Sequence, residues 1–154
     1  MNIPTLQAQY GTSFGFLQKN LEGFDIQNSS LTPAAGGNSA TWLLSHIVAT
    51  RQTPVLFSGG QPIWNQERIQ RWGRSPAPLE ASESTDWNQL LTDLNKSQEH
   101  LMVCLENMNA SDLEKPTPFG PLGKAIAFFA THEAYHVGQL AMLRRALGMP
   151  GMIG

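Results

Sequence analysis

The 154-residue chain is short of several things, and each shortage narrows what it can do. It holds one cysteine, Cys104, so no internal disulfide can staple it. Charged residues make up only 14% of the chain, and the Lys and Arg residues are dispersed apart from short pairs such as Arg144-Arg145. With no basic stripe and a net charge of −2, nothing marks a footprint for a phosphate backbone, and nucleic-acid binding is not expected. No phosphate loop or dinucleotide fingerprint occurs. Long apolar runs are missing as well. The most apolar region, Leu122 to Leu147, is interrupted by Lys124, His132, Glu133, His136, Gln139 and two arginines, which makes it too polar to span a bilayer. Met1 leads directly into Asn2-Ile3-Pro4, without a charged start and an apolar stretch behind it. No signal peptide is expected, and the expected location is cytoplasmic.

What is present reads as helix. Phe14, Leu17, Leu21 and Phe24 recur at three- and four-residue steps and predict a first helix over Leu6 to Gly23. Gly11 and Gly15 weaken it, and their small size suggests close contact with a neighbouring helix. A second helix starts at Asn38 or Ser39, either a good N-cap, and ends between Pro54 and Ser58. Gly59 to Ser84 is rich in Gly, Pro, Ser and Arg and forms a long connection, with a short helix expected around Asn65 to Trp72. Ser84 or Thr85 caps a third helix over Asp86 to Asn109, whose stripe is Leu90, Leu91, Leu94, Leu101, Leu105 and Met108. After a Pro-rich hinge, Lys115 to Pro121, a fourth helix runs from Leu122 to Leu147 and stops at Gly148 and Pro150. No alternating pattern competes. The expectation is an all-α chain: residues 1–154 as one antiparallel four-helix bundle with a long connection between the second and third helices.

The chemistry concentrates in the fourth helix, at Thr131-His132-Glu133-Ala134-Tyr135-His136-Val137-Gly138-Gln139-Leu140. His132 and His136 are four apart and Gln139 follows at seven, so all three share a helix face. Two imidazoles at that spacing can bind one metal ion, although spacing alone is a weak signal. His46, mid-helix between Trp42 and Thr50, is the best third ligand, because a bundle can complete such a pair from a facing helix. His100 is the rival, but its polar neighbours Lys96, Ser97, Gln98 and Glu99 place it in solvent. The bland readings are two core histidines bonded to backbone or water, and His46 packed on Trp42. Gln139 is read as a partner for a free ring nitrogen of a metal-bound histidine. Tyr135 and the tryptophans read as packing groups, and Cys104 as a small core residue.

His132-Glu133-Ala134-Tyr135-His136 also satisfies H-E-x-x-H, the zinc-peptidase pattern in which the glutamate is general base. The short tail after His136 contains no His, Asp or Glu to serve as a downstream ligand, so peptidase is a minor alternative. Glu133 stays a weak general-base candidate.

Trp42-Leu43-Leu44-Ser45-His46-Ile47-Val48-Ala49-Thr50-Arg51 resembles the second-helix signature of the DinB/YfiT-like superfamily. His132 to Leu140, continuing to Leu143-Arg144-Arg145, resembles its final-helix signature, and Phe14-Gly15-Phe16-Leu17 and Gly36-Gly37-Asn38-Ser39 are also similar. The resemblance implies a four-helix bundle with a divalent metal, zinc or nickel foremost, held by His46, His132 and His136. It implies frequent homodimers and, in some relatives, transferases and isomerases that use low-molecular-weight thiols. The expected function is a metal-dependent enzyme, a thiol-dependent transferase or a hydrolase acting on a small molecule. A non-catalytic metal-binding or stress-related bundle is the alternative. A metal-free bundle that assembles through exposed Trp64 and Trp72 is a third reading.

Overall fold

The computed structural model describes residues 2–74, 77–78 and 86–152. Helix α1 spans Ile3–Leu21, α2 Ala40–Phe57, α3 Gln66–Trp72, α4 Trp87–Glu106 and α5 Leu122–Ala146. Each start has a local cause. Asn2 accepts from the Thr5 amide at 2.9 Å, which begins α1 three residues before the expected Leu6. Ser39 caps α2, one of the two caps expected, and Asn65 caps the short α3. The caps proposed at Ser84 and Thr85 fall outside the described residues; Asp86 caps α4 by accepting from the Gln89 amide at 3.0 Å. α4 stops at Glu106, short of Asn109, and a 3₁₀ turn over Ala110–Glu114 follows. The Pro-rich hinge is a small antiparallel hairpin, with β1 (Pro116–Thr117) paired to β2 (Gly120–Pro121) around Gly120 at φ +92°. Among the described residues no helix is long and apolar enough to cross a membrane.

Two apolar clusters set the helix directions. One collects Leu17 and Leu21 of α1, Trp42 to Ala49 of α2, Leu90 and Leu94 of α4, and Val137, Leu140 and Leu143 of α5. The other collects Leu6 and Tyr10, Val55, Leu101 and Leu105, and Leu122, Ile126 and Ala130. The late part of α1 therefore lies level with the late part of α5, and the early part of α2 with the early part of α4. α1 and α5 run parallel, α2 and α4 run parallel, and the two pairs oppose each other. The long connection after α2 permits this, because it returns the chain to the end where α2 began.

That connection is anchored. Trp64 and Trp72 are buried, as their reading as packing groups expects, and so offer no exposed surface for the assembly that the third reading required. Trp64 Nε1 donates to Asp93 of α4 at 2.7 Å, and Arg68 bonds the same carboxylate oxygen at 3.0 Å while lying over the Trp64 ring. Gly11 and Gly15 are not helix-contact points, since a Cβ at either would meet nothing within 4 Å.

Between the two apolar clusters lies a polar layer with one residue from each long helix. Arg51 of α2 donates to both oxygens of Glu133 of α5, at 2.6 and 2.8 Å, and to Ser97 Oγ of α4 at 3.2 Å. Ser13 of α1 donates to Glu133 at 2.7 Å. The Arg51 and Glu133 side chains are only 1% and 2% exposed, so each charge depends on the other. We expect Arg51→Met and Glu133→Leu each to cost about 3–5 kcal/mol by leaving a buried charge unpaired, and the double variant to be more stable than either single one. Urea denaturation of the three proteins tests this; additive losses would contradict it.

Candidate metal centre

α2 and α5 face each other in opposite directions, and this brings His46 against His132 and His136. His46 Nε2 lies 3.4 Å from His132 Nε2, and His136 Nε2 lies 3.2 Å from it. The three candidate ligand atoms all fall within 4.8 Å of one another, and this trio can hold a metal ion. His46 and His136 are buried; His132 is half-buried.

Hydrogen-bond partners assign the tautomers. The Trp72 carbonyl can only accept, so His46 Nδ1 donates to it, at 2.6 Å, and Nε2 is left with a bare lone pair. Gln139 Nε2 donates to the Tyr135 hydroxyl at 3.1 Å, which leaves Oε1 to accept from His136 Nδ1 at 2.7 Å. His136 Nε2 is thereby bare as well. Two lone pairs thus converge on His132 Nε2, where a single proton could satisfy only one of them. A divalent cation satisfies all three nitrogens together. The spacing fits such an ion: two bonds of about 2.0–2.1 Å at a tetrahedral angle place nitrogens about 3.3 Å apart. His132 Nδ1 is buried with no hydrogen-bond partner.

Burial holds all three imidazoles below their ordinary pKa, which favours the neutral, ligating form. The effect is largest at His136, lowered to about 4 by desolvation against the opposing pull of its Gln139 bond. At His132, desolvation is reinforced by the neighbouring His46.

The trio opens onto a cavity of about 850 Å³. Trp42 and Ile69 contribute to its lining, with His46 stacked on Trp42 at 5.2 Å between ring centroids. Phe119, Phe128 and Phe129 form another wall, and Phe128 stacks on His132 at 6.2 Å.

Several residues take places other than those expected. Glu133 lies beside His132 in sequence, but both of its oxygens are engaged by Arg51 and Ser13 in the bundle interior. Three hydrogen bonds hold this carboxylate in the interior and Glu133 is not among the residues lining the cavity, so the H-E-x-x-H match places no general base beside the histidines. Tyr135 is not a packing group: it is exposed at the cavity rim and holds the Gln139 amide in orientation. His100, by contrast, stands as expected: exposed, and bonded to the Gln61 carbonyl away from the trio. Cys104 is half-buried at the edge of the second apolar cluster, lines a separate cleft with His100, and has its thiol pushed up by burial. The Trp72 carbonyl carries no sequence signal, since every residue has one. Arg51 did carry one: it is the only Lys, Arg, Asp or Glu in α2, as Glu133 is the only acidic residue in α5.

Residues 19–140 match the family model described as the DinB superfamily. No significant match occurs among curated proteins. The chain is also similar to a solved structure described as a conserved protein of locus from Enterococcus faecalis, with a TM-score of 0.73 and 15% identity over 96% of this chain and 99% of that one. At that identity the likeness establishes the fold alone.

Depressed histidine pKa values have a consequence for the metal-free protein. Below about pH 6.5 the unfolded chain takes up protons that the folded trio refuses, down to about 4 at His136, so stability falls as pH falls through that window. We expect urea midpoints of metal-free wild type to drop more steeply from pH 7 to pH 4.5 than those of a His46→Ala/His132→Ala/His136→Ala protein. Parallel profiles would remove the trio as the cause.

Proposed function

This chain belongs to the DinB superfamily, and on that premise we propose that it is a metal-dependent enzyme. His46, His132 and His136 are its ligands, and it acts on a small molecule held in the adjoining cavity. The observation that carries this reading is the convergence of three neutral nitrogens on a cavity, with no fourth His, Cys, Asp or Glu joining them among the described residues. Structural sites close their coordination with four protein ligands, whereas catalytic sites leave a position open. That favours catalysis over a purely structural ion.

Imidazole donors suit zinc or nickel. A divalent ion bound here supplies Lewis acidity, which lowers the pKa of a thiol or of water and yields a nucleophile near neutral pH. The reaction class is accordingly transfer of a low-molecular-weight thiol to an electrophile, or hydrolysis. The Trp72 carbonyl and Gln139 fix two of the rings, so little ordering remains when the site is used. The phenylalanine wall keeps bulk water from one side of the site. No carboxylate lines the cavity among the described residues, so no acidic side chain is placed to take a proton from substrate.

Elemental analysis of the purified protein tests the centre. We expect about one divalent ion per chain, lost in His46→Ala, His132→Ala and His136→Ala proteins that retain their helical circular dichroism. Normal metal content in all three would end the proposal. Gln139→Leu should weaken metal affinity about 10- to 100-fold, measured by competition with a chromogenic chelator.

A further inference from the structure

The cavity beside the histidines has an uneven chemistry. Phe119 and Phe128 are each 52% exposed, an unusual state for phenylalanine rings unless something covers them. Phe119 stacks on Phe128 at 5.8 Å and meets Phe129 edge-on at 5.4 Å, so the wall presents ring faces and edges as one continuous apolar surface. Of the described residues that line the cavity, one is formally charged: Arg74, at the end of the α3 segment. It is exposed, and no hydrogen bond or ion pair engages it among the described residues. No acidic group of the lining opposes it.

We infer that the cavity selects an apolar small molecule carrying one anionic group, with the apolar body on Phe119 and Phe128 and the anion read by Arg74. Arginine suits this role because its planar fork can meet a carboxylate with two parallel hydrogen bonds and stays charged at every working pH. The inference names the substrate class for the proposed enzyme and rests on that reading only for the identity of the reactive end. The anion is assigned to Arg74, so the preference should survive removal of the metal.

The test is titration of 3-phenylpropionate and its neutral amide into metal-free and zinc-loaded protein at low ionic strength, followed by calorimetry. Metal content is measured on the same preparations. For wild type in both forms, the carboxylate should bind about fivefold or more tighter than the amide, an advantage that shrinks as salt is added. Arg74→Gln should bring the two ligands within about twofold while metal content is unchanged. Phe128→Ser should weaken both ligands alike by about threefold or more. Equal binding of acid and amide by wild type, or an undiminished preference in Arg74→Gln, would overturn the inference whether or not the protein holds metal. Intact selectivity in a protein that binds no metal would instead remove the metal reading and leave this one standing.

Discussion

The contact on which the rest of the bundle depends is the ion pair between Arg51 and Glu133, completed by Ser13 and Ser97. It is a single layer to which all four long helices contribute. Apolar contacts are non-directional, and either apolar cluster alone would tolerate small rotations or slips of its helices. A buried guanidinium and carboxylate do not tolerate them. Their desolvation is offset only while every bond is made, so the layer fixes helix rotation and height together.

That fixed rotation is what makes the histidine face possible. On α5, Glu133 points into the bundle while its neighbours in the pattern, His132 and His136, turn toward α2 and the cavity. Pinning Glu133 to Arg51 therefore aims the two histidines, and pinning Arg51 aims His46, a little more than one turn earlier on α2. The residue that looked like a catalytic glutamate thus serves the centre as an anchor for the helix that carries it.

Much of this was legible in the sequence because it is local. The four helices follow from periodicity and caps. The short helix at Asn65 to Trp72 is also where the sequence places it, and the Asn65 side chain caps it. The histidine pair follows from a spacing of four, and His46 from its place in an apolar helix. What stayed hidden is non-local or belongs to the backbone. The helix directions are set by how the long connection returns the chain, which no stripe reports. The partnership of Arg51 with Glu133 joins residues far apart in the chain. H-E-x-x-H misdirects because it fixes the spacing of Glu133 but not the helix rotation that sends it inward. What buries Trp64 could not be read from the polar, irregular connection around it. Asp93, which receives Trp64, lies outside it.

The bond from His46 to the Trp72 carbonyl ties one histidine of the trio to main chain rather than to side chain. Any amino acid at that position would offer the same oxygen. The site therefore constrains the path of the connection more than its composition, and related chains could diverge through this segment and still orient the histidine. At Trp72 the chain is in this sense free in its letters and fixed in its course. Divergence there can reshape the mouth of the cavity without disturbing the histidine trio beneath it.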